Sequence, residues 1–149
     1  MESQKSKWFS IKLTELGNSD QDSTSANSSP EKGISVAEQW RLKQNFPVGD
    51  EYQLLKEVGK GSYGEVVHGR HLPTGKEVAI KKIFDIFLDA HDAKRLLREV
   101  LLLRRLDGHR NLIRLYDLIL TEDPQNFSTL FLVFEYTASD LRKVYRSNV

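Results

Sequence analysis

The sequence predicts an α+β domain: a five-stranded antiparallel sheet carrying one main helix. Three observations predict it. From Tyr52 onward, "YQLLKEVG", "EVVHGRHL" and "KEVAIKKI" are β-type runs separated only by a glycine-rich turn and by "PTG". Those connections are too short for the crossovers that parallel strands need. One long amphipathic stretch follows, and after it come two more strand-like runs, "NLIRLYDLIL" and "TLFLVFEY".

Residues 1–44 read as a disordered or weakly structured extension. "GNSDQDSTSANSSPEKG" (17–33) has one alanine as its only apolar residue. Such a segment buries too little surface to offset its ordering entropy. Before it, Trp8, Phe9, Ile11, Leu13 and Leu16 form an apolar run, read as a mobile tail in preference to a short docked element. Ser29-Pro30 offers a proline-directed phosphate acceptor.

In the strand runs Val66 and His68 alternate with Val67 and Gly69, and Val78 and Ile80 with Ala79 and Lys81. The helical stretch, about Asp89 to Leu106, repeats Ala93, Leu96, Leu97, Val100 and Leu103 at three- and four-residue spacing. Asp89 is the expected N-cap, and Gly108 stands just past the C-terminus. A polar loop, "TEDPQNFS", joins the last two strands.

At 149 residues the chain has room for one domain of ordinary size. No run has the length of a membrane span, and the N-terminus lacks the apolar core of a signal peptide. The absence of cysteine excludes disulfides and thiolate metal sites. Residues 1–40 carry net −2 and residues 41–149 net +3, too little positive charge to argue for nucleic acid. His68 and His71 are three apart in a strand, so they point to opposite faces and make a poor metal pair.

Gly59, Gly61 and Gly64 spell G-x-G-x-x-G, a pattern several nucleotide sites share. A Walker A loop needs Lys and Ser or Thr after the last glycine, where this chain has Glu65-Val66. A dinucleotide-binding turn needs a helix there, whereas "GEVVHGRH" alternates and is β-branched. A hairpin whose tip folds over the phosphates of ATP predicts strand on both sides, a valine two residues on and a lysine on the next strand. Val66 and "VAIK" (78–81) meet those requirements. A tip without β-carbons lets backbone N–H groups approach phosphate oxygens, and Val58 and Val66 at its base suit an adenine ring.

Lys81 ends an apolar strand segment, and alone it would read as solvated. Glu99 changes that reading. Its helical neighbours at −3, +3 and +4 are Leu96, Leu102 and Leu103, so it points coreward and needs a cation. Arg95, at −4, is a competing partner in the weaker orientation. Lys81 is therefore the expected partner of Glu99, with Lys82 as the alternative on the opposite face.

Together "VGKGSYGEVV", "VAIKK", "AKRLLREVLLLRRL", "HRNLIRLYDL" and "LFLVFEYTASDL" resemble the N-terminal lobe of a eukaryotic protein kinase, most closely a MAP kinase. Phe87, ten residues, then Arg98-Glu99 is similar to the start of that family's signature; "LVFEY" alone supports a cyclin-dependent-kinase-like alternative. The resemblance implies that 45–137 is the kinase N-lobe and 138–149 the hinge exit and the truncated start of the C-lobe. It implies that Val58, Gly59, Lys60, Gly61, Ser62, Tyr63, Gly64, Glu65 and Val66 form the ATP flap. Ala79 would border the adenine, Lys81 would contact phosphate and Glu99 would hold Lys81. Phe134 would be the gatekeeper, Glu135 and Thr137 would offer hinge backbone to adenine, and Asp140 would reach the ribose. ATP is the implied cofactor, with Mg2+ in the complete kinase. Protein substrates and an upstream activating kinase are the implied partners, nucleic acid and membrane are not, and the implied location is cytoplasmic, with the nucleus second.

"HRN" (109–111) superficially resembles the H-R-D catalytic loop, but Asn111 stands where the base belongs and Tyr116 where a metal ligand should fall. No glycine follows Gly108, so D-F-G does not occur after it. The expectation is a fragment lacking the C-lobe, with no metal site and no catalysis of its own. The alternative is an inactive short product that acts as a regulatory binding module.

Overall fold

The structure, a computed structural model, describes residues 9–10, 34–61, 64–123, 125–139 and 145–146. Ser62, Tyr63, Asp140 and the polar segment 17–33 lie outside the described residues.

Alternation along the runs sorts their side chains onto the two faces of one antiparallel sheet. Its strands are β1 (Phe9–Ser10), β2 (Tyr52–Gly61), β3 (Gly64–His71), β4 (Lys76–Ile83), β5 (Leu115–Leu120) and β6 (Leu130–Glu135). Their spatial order is β1-β5-β6-β4-β3-β2. The five longer strands are those the sequence predicts. β1 adds two residues at one edge, Phe9 opposite Leu120 and Ser10 opposite Ile119. Phe9 and Ser10 are therefore paired to the sheet, where the sequence reading expected a tail, and Trp8, Ile11, Leu13 and Leu16 lie outside the described residues.

Two helices flank the sheet, α1 (Val36–Asn45) and α2 (Ala90–Arg105). α2 matches the predicted helix. Asp89 caps it, the side chain accepting from the His91 amide at 2.7 Å. Gly108, at φ +80, turns the chain out. "HRN" is a turn after this helix: the His109 amide donates to the Leu106 carbonyl, and the Asn111 amide to His109 Nδ1.

Over residues 36–44 α1 corrects the reading of 1–44 as disordered or weakly structured, while 1–8 and 11–33 lie outside the described residues. Only Leu42 of its ten residues is buried, so its apolar periodicity is faint. Its start was nonetheless written in the sequence. Ser35-x-x-Glu38 has the capping-box pattern, and the Ser35 hydroxyl accepts from the Glu38 amide at 3.2 Å.

Each helix side of the sheet carries its own core. Leu42, Phe46 and Val48 come down on Val67, Ile80, Phe131 and Val133, with the Phe46 and Phe131 rings 5.8 Å apart. On the other side Val100, Leu96 and Leu103 of α2 cover Leu115, Leu132 and Phe134. β6 is therefore apolar on both faces, and Phe131, Leu132 and Val133 are almost wholly buried. Each such side chain contributes roughly 1.5–3 kcal/mol by burial.

A buried polar link crosses the α1 side. Tyr52 donates its hydroxyl to Asp117 Oδ2 at 3.3 Å, both groups being buried. Burial, followed by the Asp117 charge, pushes the Tyr52 phenol well above its ordinary range. The unfolded chain ionises this tyrosine near pH 10, about its ordinary value, while the folded chain keeps it protonated. Stability is therefore fully present below pH ~10 and falls as pH rises beyond it, by at most about 1.4 kcal/mol per unit from this group. Urea midpoints taken between pH 8 and 11 should show that decline for the wild type and a shallower one for Tyr52→Phe. Parallel declines would refute the assignment.

Candidate functional site

The β2–β3 hairpin, β4 and α2 converge on the α2 side of the sheet. The hairpin is paired up to Gly61 opposite Gly64, with Lys60 opposite Glu65. Lys60 and Glu65 form an ion pair there, and its hydrogen bond holds the Glu65 carboxyl below its usual range.

The three glycines are small for different reasons. A β-carbon on Gly64 would overlap the carbonyl oxygen of Lys82, and its φ of +125° suits glycine alone. The fold itself requires Gly64. Gly59 and Gly61 have nothing within 4 Å of where a β-carbon would stand. Among the described residues the packing gives no reason for those two to lack side chains, and the space beside them is open.

β4 sorts the two lysines. Lys81 lies opposite Val66 on β3 and Leu132 on β6, on the α2 side. Its Nζ is 3.5 Å from Glu99 Oε1. Lys82 points the other way and donates to the Asn45 carbonyl at the end of α1, at 3.0 Å. Arg95, the competing partner of Glu99, sits 3.6 Å from Asp92 instead. Of the leucines beside Glu99, Leu96 and Leu103 pack toward the sheet while Leu102 is half exposed.

Around the Lys81–Glu99 pair lies a cavity of about 130 Å³, bordered by Gly64, Phe84, Asp85, Ile86 and Leu96 among others. Sequence reasoning missed the contribution of the β4–α2 loop, because nothing local marks it. Tertiary contact places it: the Ile86 amide donates to the Ser128 carbonyl at 3.3 Å, and Phe87 meets Phe127 edge-on at 5.2 Å.

Ala79, Val66 and Phe134 stand along the same face beyond the cavity, whereas Glu135 lies opposite Val78 on the other face. Ala79 lies opposite Phe134, which is buried. Val66 is half-buried. Val58 sits at a register irregularity of β2 and is 53% exposed. The Glu135 amide already donates to the Arg114 carbonyl at 2.9 Å, so Glu135 has no free N–H to offer. Thr137 is exposed just past β6. His68 lies opposite Ala79 and His71 opposite Tyr52, on opposite faces.

The model of the protein kinase domain matches residues 52–149. The chain is 39% identical over 99 residues to "Extracellular signal-regulated kinase 2" of Dictyostelium discoideum, covering 66% of this chain and 26% of that protein. It is 41% identical over 106 residues to "Mitogen-activated protein kinase mpkA" of Aspergillus fumigatus, covering 71% and 25%. With "Mitogen-activated protein kinase 4" of Arabidopsis thaliana the identity is 38% over 131 residues, covering 84% and 35%. The chain thus spans about a quarter to a third of the length of these relatives.

Proposed function

Because the chain belongs to the protein kinase family, we propose that it is the ATP-binding N-lobe of a MAP-kinase-like protein serine/threonine kinase. One observation carries the reading. Lys81 and Glu99 meet at 3.5 Å beneath a hairpin whose first two glycines stand over open space.

ATP bound here has its adenine among Val58, Val66 and Ala79, backed by Phe134, and its triphosphate under the hairpin. The backbone of Gly59 and Gly61 approaches the phosphates without hindrance from side chains. Lys81 supplies a cation to the α- and β-phosphate oxygens, and Glu99 limits where that ammonium can go. At the hinge the Glu135 carbonyl and the Thr137 backbone meet adenine, since the Glu135 amide is engaged with Arg114. Ser62, Tyr63 and Asp140 belong to the same proposed site by family resemblance alone.

The complete reaction passes the γ-phosphate of Mg-ATP to a protein Ser or Thr hydroxyl, which needs bound metal and a positioned base. Among the described residues no three His, Asp or Glu side chains cluster as metal ligands. Neither H-R-D nor D-F-G occurs in residues 1–149. The described residues thus offer no set of ligands for a resident Mg2+, and the proposal for this chain is nucleotide binding without turnover. In a complete kinase of this family the same proposal brings protein substrates and an upstream activating kinase, and a cytoplasmic location, with the nucleus second, is proposed with it.

Titration of the purified chain with Mg-ATP tests the reading. Saturable binding that adenosine displaces is expected, together with no phosphate transfer to a generic protein substrate. Absence of binding would overturn the nucleotide site, and turnover would overturn the claim of inactivity.

A further inference from the structure

His68 is 2% exposed on the α2 side of β3, and its ring stacks on Tyr136 with centroids 3.8 Å apart and planes 16° apart. Its Nε2 is 3.2 Å from Glu77 Oε2. A carboxylate only accepts, so Nε2 carries the hydrogen of that bond. Glu77 is held in turn from the neighbouring strand, its Oε1 lying 3.5 Å from the Arg70 guanidinium. The stack, the hydrogen bond and the ion pair form one chain running from Arg70 to the residue that follows β6.

The far ring nitrogen is less well served. Nδ1 of His68 is buried and has no hydrogen-bond partner, a cost that an apolar ring of similar size would not carry. What the imidazole adds over such a ring is the Glu77 bond, which fixes the plane that Tyr136 lies against. Tyr136 stands between Glu135 and Thr137, the two residues whose backbone would meet adenine. On the other side of the hinge, the Glu135 amide is tied to the Arg114 carbonyl.

We infer that His68 is a positioning residue for the hinge: its ring, aimed by Glu77, clamps Tyr136 and so presets the adenine-contacting backbone on either side. The inference rests on the nucleotide reading above and deepens it. It concerns the adenine end of the site, whereas Lys81 serves the phosphate end, and the two effects separate by choice of ligand.

The test uses His68→Ala, His68→Phe and Tyr136→Leu in the chain, with adenosine and Mg-ATP as probes and hydrogen exchange of the Tyr136 and Thr137 amides as an independent readout. Loss of one stacked pair corresponds to about a three- to tenfold change. His68→Ala should weaken adenosine and Mg-ATP alike by that factor and speed exchange at Thr137 without a ligand. His68→Phe, which keeps a ring but loses the Glu77 bond, should restore only part of both, and Tyr136→Leu, which opens no core cavity at position 68, should reproduce the loss and the faster Thr137 exchange. Wild-type binding with exchange and adenosine affinity indifferent to His68→Ala and Tyr136→Leu would overturn the clamp alone. A wild type that binds neither probe, whatever its exchange does, overturns the nucleotide reading and the positioning role with it.

Discussion

Gly64→Ala is expected to destabilise the chain by roughly 2–4 kcal/mol, the largest effect of any change in the hairpin. Two costs add at this position. The backbone is held at φ +125°, which an L side chain rarely adopts, and the new methyl would overlap the Lys82 carbonyl oxygen on β4. Backbone cannot give way as a flexible side chain can, so β3 and β4 would have to separate where they pair as Glu65 opposite Lys82. Gly59→Ala and Gly61→Ala meet neither obstacle, and each should stay within about 0.5 kcal/mol of wild type. Those two variants should nonetheless lose Mg-ATP affinity, because the added methyl stands where phosphate oxygens are proposed to come. Urea unfolding of the three variants, with midpoint and slope both recorded, checks the ordering. Equal destabilisation by all three would mean that the glycines serve only the hairpin's own conformation.

Lys81→Met should lower Mg-ATP affinity by about tenfold or more, the scale of a hydrogen bond to a charged group. It should do so with little change in stability. The Lys81 and Glu99 side chains are 25% and 41% exposed, and an ion pair that open to water contributes only about 0–1 kcal/mol to folding. Glu99→Gln keeps a hydrogen-bond acceptor for the lysine but removes the charge, so its loss of affinity should be smaller than that of Lys81→Met. Calorimetry on the two variants, alongside their unfolding midpoints, separates a binding role from a folding role. A Lys81→Met chain that binds as wild type but melts early would assign the pair to folding.

Strand periodicity and turn chemistry made most of the sheet legible. "KEVAIKKI" forms β4 residue for residue, and Asp89 and Gly108 bracket α2 as their capping chemistry requires. The Lys81–Glu99 meeting was legible because the leucines at −3, +3 and +4 turn the carboxylate toward the sheet, although Leu102 is half exposed and the Glu99 side chain stays 41% exposed. The reading of Lys82 as facing away was legible from alternation alone. α1 was not read, because its apolar contacts come mainly from Leu42 and from Phe46 and Val48 beyond its end, which blurs helical period. β1 is two residues long and gains its place from the edge of β5, a tertiary fact that no local pattern contains. The same holds for the β4–α2 loop at the cavity and for His68 against Tyr136, whose partners are 68 positions apart in sequence.

The ammonium of Lys81 can be followed directly by NMR of its ε-methylene and Nζ signals during titration. If Lys81 meets phosphate beneath the hairpin, Mg-ATP shifts those signals, adenosine does not, and hinge amides respond to both ligands. Lys81 signals that stay in place while Mg-ATP saturates the hinge amides would contradict the account at its centre.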